Sequence, residues 1–225
     1  MKAIILAAGK GKRFGEKTKN LPKPLLKLGK FTLIEHNIFL LKKYGFNDIV
    51  INVSYLSQTI IDYLGDGSKY GISIKYSIEK PEPLETGGGI HNALPLLGDD
   101  IFLVINSDIY TDCILSDIVL AKNDLASLIM VKNPDHNPNG DFSLSNKRIK
   151  FNQNNKLTYS GIGIYNPKIF KNVKLSNYML INLLLPAIKS NKVSGQLYNG
   201  VWFDIGDNKK LKKAENYFSK MDLHD

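Results

Sequence analysis

The chain opens with a short apolar run that gives way abruptly to glycines and cations: Lys2-Ala-Ile-Ile-Leu-Ala-Ala-Gly-Lys-Gly-Lys-Arg13. Residues 3–6 have the length and flanks of a strand buried on both faces, as in a parallel sheet. Gly9 and Gly11 follow at once. Without Cβ atoms they let backbone N–H groups turn toward an anion and let that anion come close. Lys10, Lys12, Arg13 and, further on, Lys23 bring positive charge to the same loop. Pro22 and Pro24 fix φ on either side of Lys23 and stiffen the segment that carries its ammonium. The spacing matches neither common phosphate-loop fingerprint, because the third glycine falls at Gly15 and no lysine–hydroxyl pair opens a helix. Between Ala7 and about Thr32 no helix or strand period is present, and a structureless loop of that length is functional or disordered. A loop that wraps a polyphosphate is one reading and a mobile basic surface loop is the other; the two prolines favour the first.

Beyond the loop, strand and helix signals alternate. The pattern predicts an amphipathic helix over 33–44 ended by Gly45, a strand over 48–53 and a helix over 57–64 that Ser57 caps. A strand over 72–77, a helix over 89–97 and a buried apolar strand over 101–105 complete the first half. That order predicts an α/β fold with a doubly wound, mostly parallel Rossmann-like sheet that binds ligands beyond the carboxyl ends of its strands. The segments 7–13 and 106–108 then meet at one edge. The second half reads differently: a hairpin over 141–144 and 148–151, a strand over 159–165, a helix over 180–189 that tolerates Pro186, and short strands over 193–198 and 201–204. This is a small α+β part that covers the place of a second substrate. No repeat or linker interrupts the chain, so one domain over 1–225 is expected, with a nucleotide-binding part near 1–110 and a second-substrate part near 111–225.

Thirty Lys and Arg against twenty-one Asp and Glu give a formal charge of +9, which points to anionic ligands. Nucleic acid is not the expected one. The only dense basic cluster outside the loop, Lys209, Lys210, Lys212 and Lys213, punctuates a helix whose apolar stripe is Leu211, Ala214, Tyr217 and Phe218. The aromatic–basic alternation of single-strand binders is missing. No apolar stretch has membrane-spanning length and the amino terminus lacks a signal-peptide core, which predicts a cytoplasmic protein without a membrane partner. The single Cys113 excludes an internal disulfide and reads as a small core residue. His36, His91, His136 and His224 are too scattered for a zinc site, and no pattern suggests a covalent nucleophile.

Two carboxylates stand out. Asp108 follows one apolar strand and Asp204 another, just before Ile205-Gly206. Hard divalent cations such as Mg²⁺ take one or two carboxylates and complete their shell with phosphates and water. The alternative is a turn-former or helix cap at each position. The third constellation is Glu79-Lys-Pro-Glu-Pro-Leu-Glu-Thr-Gly-Gly-Gly89. Three glycines at a helix start expose N–H groups and allow close backbone contact with a planar base, while a bare anion site or a flexible turn is the competing reading. Glu79 and Glu85 are candidates to accept the imide proton of a pyrimidine.

With those residues in view, Leu6-Ala-Ala-Gly-Lys-Gly-Lys-Arg13, Pro22-Lys-Pro-Leu25, Glu85-Thr-Gly-Gly-Gly89, Asn106-Ser-Asp108 and Trp202-Phe-Asp-Ile-Gly206 resemble the sugar-1-phosphate nucleotidyltransferase family. The likeness runs nearly the whole length, through Gly140-Asp-Phe142 and Ser160-Gly-Ile162. It implies a glycosyltransferase-A-like sheet with a small α+β sugar-binding part, and two small-molecule substrates, a nucleoside triphosphate and a sugar 1-phosphate. UTP is the expected triphosphate. By the same resemblance Ala7, Ala8, Gly9, Gly11, Lys12, Arg13, Lys23, Glu79, Thr86, Gly87 and Gly88 would bind the nucleotide, with Arg13 and Lys23 catalytic. Asn106, Gly140, Asp141 and Ser160 would touch the sugar phosphate, and Asp108 and Asp204 would ligate Mg²⁺. The chain departs from many members at Lys12, at Gly15-Glu-Lys-Thr18, and in 151–156, where it lacks their Glu-Lys-Pro run. The same phosphate-handling parts would serve CTP with phosphocholine, GTP with a mannose or heptose 1-phosphate, or a nucleotide sensor without activity.

Overall fold

A computed structural model describes residues 1–151 and 154–221. Asn152 and Gln153, inside the segment that departs from the family, and His224 lie outside the described residues. The first half contains β1 (Lys2–Leu6), the two-residue strands β2 (Lys27–Leu28) and β3 (Phe31–Thr32), α1 (Leu33–Lys43), β4 (Asp48–Val53), α2 (Ser57–Leu64), β5 (Ser73–Ile78), α3 (Glu85–Leu97) and β6 (Phe102–Asn106). Then follow β7 (Ile109–Thr111), β8 (Ala126–Val131), β9 (Phe142–Ser145), β10 (Arg148–Lys150), β11 (Lys156–Tyr165), α4 (Ile181–Lys189), β12 (Val193–Leu197), β13 (Trp202–Asp204) and α5 (Asn208–Met221).

Nine strands form one sheet in the order β5-β4-β1-β6-β11-β8-β12-β10-β9. The first four are parallel. The order reverses at β1, which has β4 on one side and β6 on the other, and this opens a crevice beyond their carboxyl ends. The second half joins through β11, antiparallel to both β6 and β8. β9 pairs with β10 and also with the start of β11, so these strands curl round to meet one another.

The apolar run of β1 fills two cores at once. Ala3 and Ile5 face Ile34, Ile38 and Leu41 of α1 and Ile60 and Leu64 of α2, while Ile4 faces Ile90, Ala93 and Leu97 of α3. Alternate side chains point to opposite faces, so a strand covered on both sides must be apolar throughout. A third cluster joins Phe14, Leu26 and Leu28 of the glycine loop to Ile205, Leu211 and Ala214, which docks α5 beside the loop. Cys113 lies in the first core, and burial, with Asp112 and Asp117 nearby, pushes its thiol up to about 11. Among the described residues no helix is long and apolar enough to cross a membrane.

Several local expectations give way to the structure. The loop after β1 is wound into 3₁₀ turns at Lys12–Thr18 and Lys23–Leu25, whose three-residue period is too short to register as amphipathic. Ser57 does not cap α2 but is its first helical residue, after Leu56 in the left-handed region at φ 51°. α3 begins four residues earlier than expected, at Glu85, and takes the three glycines into its first turns.

The cap of α1 is complete. Thr32 Oγ1 accepts from the Glu35 N–H at 3.3 Å, and Glu35 Oε2 accepts from the Thr32 N–H at 2.8 Å. Tyr70 and Tyr63 hydroxyls also donate to this carboxylate, at 2.9 and 3.1 Å. Burial pushes the Glu35 carboxyl up, but the bonds from Thr32, Tyr70 and Tyr63 outweigh it and leave the group below its ordinary value. Its stabilisation is therefore present above the unfolded-state value and disappears as pH falls through the depressed folded-state value. Glu35→Gln is expected to lose about 1.5–3 kcal/mol near neutrality, the worth of hydrogen bonds to a charged group, with the gap to wild type narrowing under acid. Urea midpoints at neutral and acid pH check this; a gap independent of pH would contradict it.

Candidate active site

The crevice at the reversal of strand order is a cavity of about 680 Å³. Ala8, Gly9, Lys10, Gly11 and Lys12 form one side, Asn106, Ser107 and Asp108 the edge beyond β6, and Glu79, Glu82, Pro83, Glu85 and Thr86 the opposite wall. The segments after β1 and β6, predicted to meet, therefore do. Of the residues assigned to the nucleotide, Ala8, Gly9, Gly11, Lys12, Lys23, Glu79 and Thr86 line the cavity, as do Asn106 and Asp108.

Gly11 is where the loop needs glycine. Its φ is +62°, and a Cβ there would come within 2.9 Å of Lys23 Cβ. The carbonyl of Gly11 accepts from the Phe14 N–H at 2.9 Å and from Thr18 Oγ1 at 3.0 Å, which closes the loop on itself. Lys23 thus sits against the glycine loop at the start of its own 3₁₀ turn, with Pro22 as the preceding cap. Its ammonium is ion-paired with Asp108 Oδ2, and the two side chains are only 12% and 21% exposed.

Asp108 and Asp204, nearly a hundred residues apart, become backbone neighbours. β13 pairs antiparallel with β7, which sets Asp204 opposite Ile109, and the Ile205 N–H donates to the Asp108 carbonyl at 2.8 Å. Asp204 Oδ2 accepts from Lys210 Nζ at 2.9 Å and lies 2.9 Å from His136 Nε2. Arg13 is not in the cavity wall. Its guanidinium lies beside Gly206, where an added Cβ would stand 2.9 Å from Arg13 Nη2 and 3.2 Å from Asp204 Oδ1. Among the described residues no group of three or more His, Cys, Asp or Glu side chains gathers to enclose a metal. Asp108 lines the cavity and Asp204 does not, but their backbones adjoin, and two carboxylates are enough for a hard ion that takes the rest of its ligands from phosphate and water.

Other assignments change. Glu79 is 2% exposed, and its oxygens already accept from Asn52 Nδ2 at 2.6 Å and the Leu84 N–H at 2.7 Å. Burial raises its pKa although these bonds oppose the rise. Each oxygen already accepts one bond, so Glu79 braces the wall that it lines; Glu85 remains exposed at the start of α3. The N–H groups of Gly87 and Gly88 do not face a ligand, because both donate to the Tyr178 carbonyl at 3.0 Å. These glycines form a packing seam: a Cβ on Gly88 would come within 2.3 Å of the Ser176 carbonyl oxygen, and one on Gly87 within 2.6 Å of the Tyr178 ring. Ala7 is buried, and its N–H donates to Asn52 Oδ1 at 2.7 Å.

The sugar-side residues likewise turn inward. Ser160 is buried in a register shift of β11; its hydroxyl oxygen accepts from the Ile162 N–H and its carbonyl from Trp202 Nε1. Asp141 accepts from the Tyr159 N–H at 2.8 Å and from Asn137 Nδ2 at 3.1 Å, and ties the 132–141 loop to that shift. Gly140 is needed for its φ of +61° and for the close approach of Asn133 and Lys156. None of the three lines the cavity.

Sequence reasoning missed Asn52 and Asn177. Asn52 had a signal, an amide at the carboxyl end of an otherwise apolar strand. It joins the Ala7 N–H to the Glu79 carboxylate and so fixes both walls. Asn52→Ala should lower stability by about 1–3 kcal/mol by orphaning that N–H beside a buried acid. A denaturant midpoint equal to that of wild type would rule out the brace. Asn177 had none: it reaches the cavity from the second half, donating to the Pro83 carbonyl at 2.9 Å.

Comparison with known proteins agrees with this geometry. The model of the nucleotidyl transferase family matches residues 2–220. The chain is 45% identical over 224 residues to N-acetylmuramate α-1-phosphate uridylyltransferase of Neisseria meningitidis serogroup B, covering 96% of this chain and 97% of that one. It is 30% identical over 227 residues to mannose-1-phosphate guanyltransferase of Hypocrea jecorina, covering 93% of this chain but 62% of that longer protein. Among solved structures, one assigned as a glucose-1-phosphate thymidylyltransferase from Bacillus anthracis superposes with a TM-score of 0.84 at 22% identity, over 96% of this chain and 94% of the other. HddC from Yersinia pseudotuberculosis, complexed with GMP-PN, reaches 0.78 at 24% identity over 96% and 99%. Both support the Rossmann-like α/β fold. With that fold, a crevice bordered by the glycine loop at its switch point and matches spanning nearly every residue, the chain belongs to the nucleotidyl transferase family.

Proposed function

We propose that this enzyme transfers UMP from UTP to N-acetylmuramic acid 1-phosphate, yielding UDP-N-acetylmuramic acid and pyrophosphate, and that it serves the reuse of cell-wall sugar. The observation that carries the reading is 45% identity, end to end, with a uridylyltransferase of that specificity. The mannose-1-phosphate guanyltransferases share 28–33% identity.

The attacking oxygen belongs to a phosphate already ionised at neutral pH, so no general base is needed. It forms a bond to the α-phosphorus while the bond to the bridging oxygen breaks and pyrophosphate leaves in line. Repulsion between two anions opposes this, so the protein's task is alignment and neutralisation. The glycine loop offers N–H groups to the triphosphate, and Lys23 meets the charge that grows at the α-phosphate. Arg13, beside Asp204 and outside the cavity wall, would add to that positive field from a greater distance. Nucleotidyltransferases generally use a divalent metal; Asp108 and Asp204 are the residues here that would hold Mg²⁺, which would supply further charge neutralisation. Asn106, at the end of β6, faces the acceptor.

A pyrophosphate-release screen of the four common nucleoside triphosphates against N-acetylmuramic acid, glucose and mannose 1-phosphates tests the reading. UTP with N-acetylmuramic acid 1-phosphate should react fastest. Preference for GTP with mannose 1-phosphate would overturn the specificity, and nucleotide binding without turnover on any acceptor would make the protein a sensor.

A further inference from the structure

An ammonium and an imidazole converge on one oxygen of Asp204, and uridylyl transfer as described leaves both without a task. Lys210 Nζ and His136 Nε2 each lie 2.9 Å from Asp204 Oδ2. They come from separate elements, Lys210 from the first turn of α5 and His136 from the loop between β8 and β9. Lys210 is 18% exposed, whereas Lys209, Lys212 and Lys213 on the same helix point to solvent. Lysine is rarely so buried unless paired. Its position is fixed by the fold: Asp207 Oδ1 accepts from the Lys210 N–H at 2.9 Å, and Leu211 and Ala214 anchor the helix against Phe14 and Ile205.

Lys210 stands to Asp204 as Lys23 stands to Asp108, an ammonium resting on each carboxylate of a pair whose backbones are joined. The reaction unites two phosphate anions, and each needs a cation of its own. The glycine loop and Lys23 border the nucleotide crevice. Lys210 and His136 reach Asp204 from the second half of the chain. We propose that Lys210, with His136 as a second hydrogen-bond donor, binds the phosphate of the sugar 1-phosphate acceptor. In the resting protein the Asp204 carboxylate holds both donors in place, and a phosphomonoester beside Asp204 would accept from the same two groups. This inference rests on the nucleotidyl-transfer reading given above.

The test combines calorimetric titration with steady-state kinetics on the full chain, using N-acetylmuramic acid 1-phosphate and, separately, a non-hydrolysable UTP analogue. Lys210→Ala should weaken binding of the sugar phosphate and raise its KM by about tenfold or more, the loss of one charge-assisted hydrogen bond, with affinity for the UTP analogue within about twofold of wild type. Lys210→Arg should recover most of the loss, and it serves as the probe if the alanine variant folds poorly. Lys209→Ala, which removes an exposed charge from the same turn, should behave as wild type. Unchanged sugar-phosphate binding, or a change confined to the magnesium requirement, would overturn the assignment and leave Lys210 as a support for Asp204. If wild type releases no pyrophosphate from UTP and N-acetylmuramic acid 1-phosphate, the proposed function fails by itself. Titration with glucose and mannose 1-phosphates then decides the inference: binding that depends on Lys210 sustains it, and binding that does not, or none, ends it.

Discussion

Lys23→Ala is expected to lower turnover by about two to four orders of magnitude, the range seen when a preorganised electrostatic donor is removed from a reacting centre. The size of the effect follows from how the ammonium is held. Lys23 is nearly buried, begins a 3₁₀ turn behind Pro22, and rests against Gly11, where no Cβ intervenes. Its order is established before substrate arrives, so none has to be created in the transition state. The variant also leaves Asp108 without its ammonium. Single-turnover pyrophosphate release at saturating nucleotide separates this loss from weaker binding. A rate near that of wild type would remove Lys23 from the mechanism.

Asp204→Asn should raise the magnesium concentration needed for half-maximal activity by about tenfold or more, since losing even an outer-shell partner of a metal ligand commonly weakens affinity by about 10–100-fold. The amide keeps the shape of the side chain but gives up the charge that now faces Lys210 and His136. Loss of that charge leaves the mostly buried Lys210 unpaired and should lower the melting temperature without metal, so the metal dependence is read below the melting temperature of the variant. Activity titrated with Mg²⁺ for both proteins is the measurement. A variant whose metal dependence matched wild type would disprove the role of Asp204.

Much of the first half was legible because its signals are local. β4 and α2 coincide with the segments read from periodicity, and β1 could be recognised as a doubly covered strand because four apolar residues in a row suit only that position. The glycine loop after β1 stood out in composition, from glycines and cations, but not as structure, since short 3₁₀ turns leave no helical period. The glycine triplet shows the limit of such reading. Glycine permits close approach, yet the sequence does not say to what, and the partner proved to be Tyr178 and Ser176 of the second half. Ser160 and Asp141 show a related limit: a hydroxyl and a carboxylate in a family motif suggest ligand contact, and the structure adds that each also accepts from a backbone N–H in a strand irregularity, which the sequence does not signal.

By itself the sequence determined the parallel Rossmann-like half, the crevice where its strand order reverses, and the glycine-rich, cationic composition of the loop that borders it. These follow from alternation, turn residues and charge within a few residues of each other. Only the tertiary structure decided that Asp108 and Asp204 share a small ribbon, that Lys23 and Lys210 each rest on one of them, and that Asn52 ties the two walls together. Apart from the short reach from Lys210 to Asp204, those contacts join residues tens to nearly a hundred positions apart, and their partners are selected by the packing of strands and helices, a long-range property that no local pattern encodes.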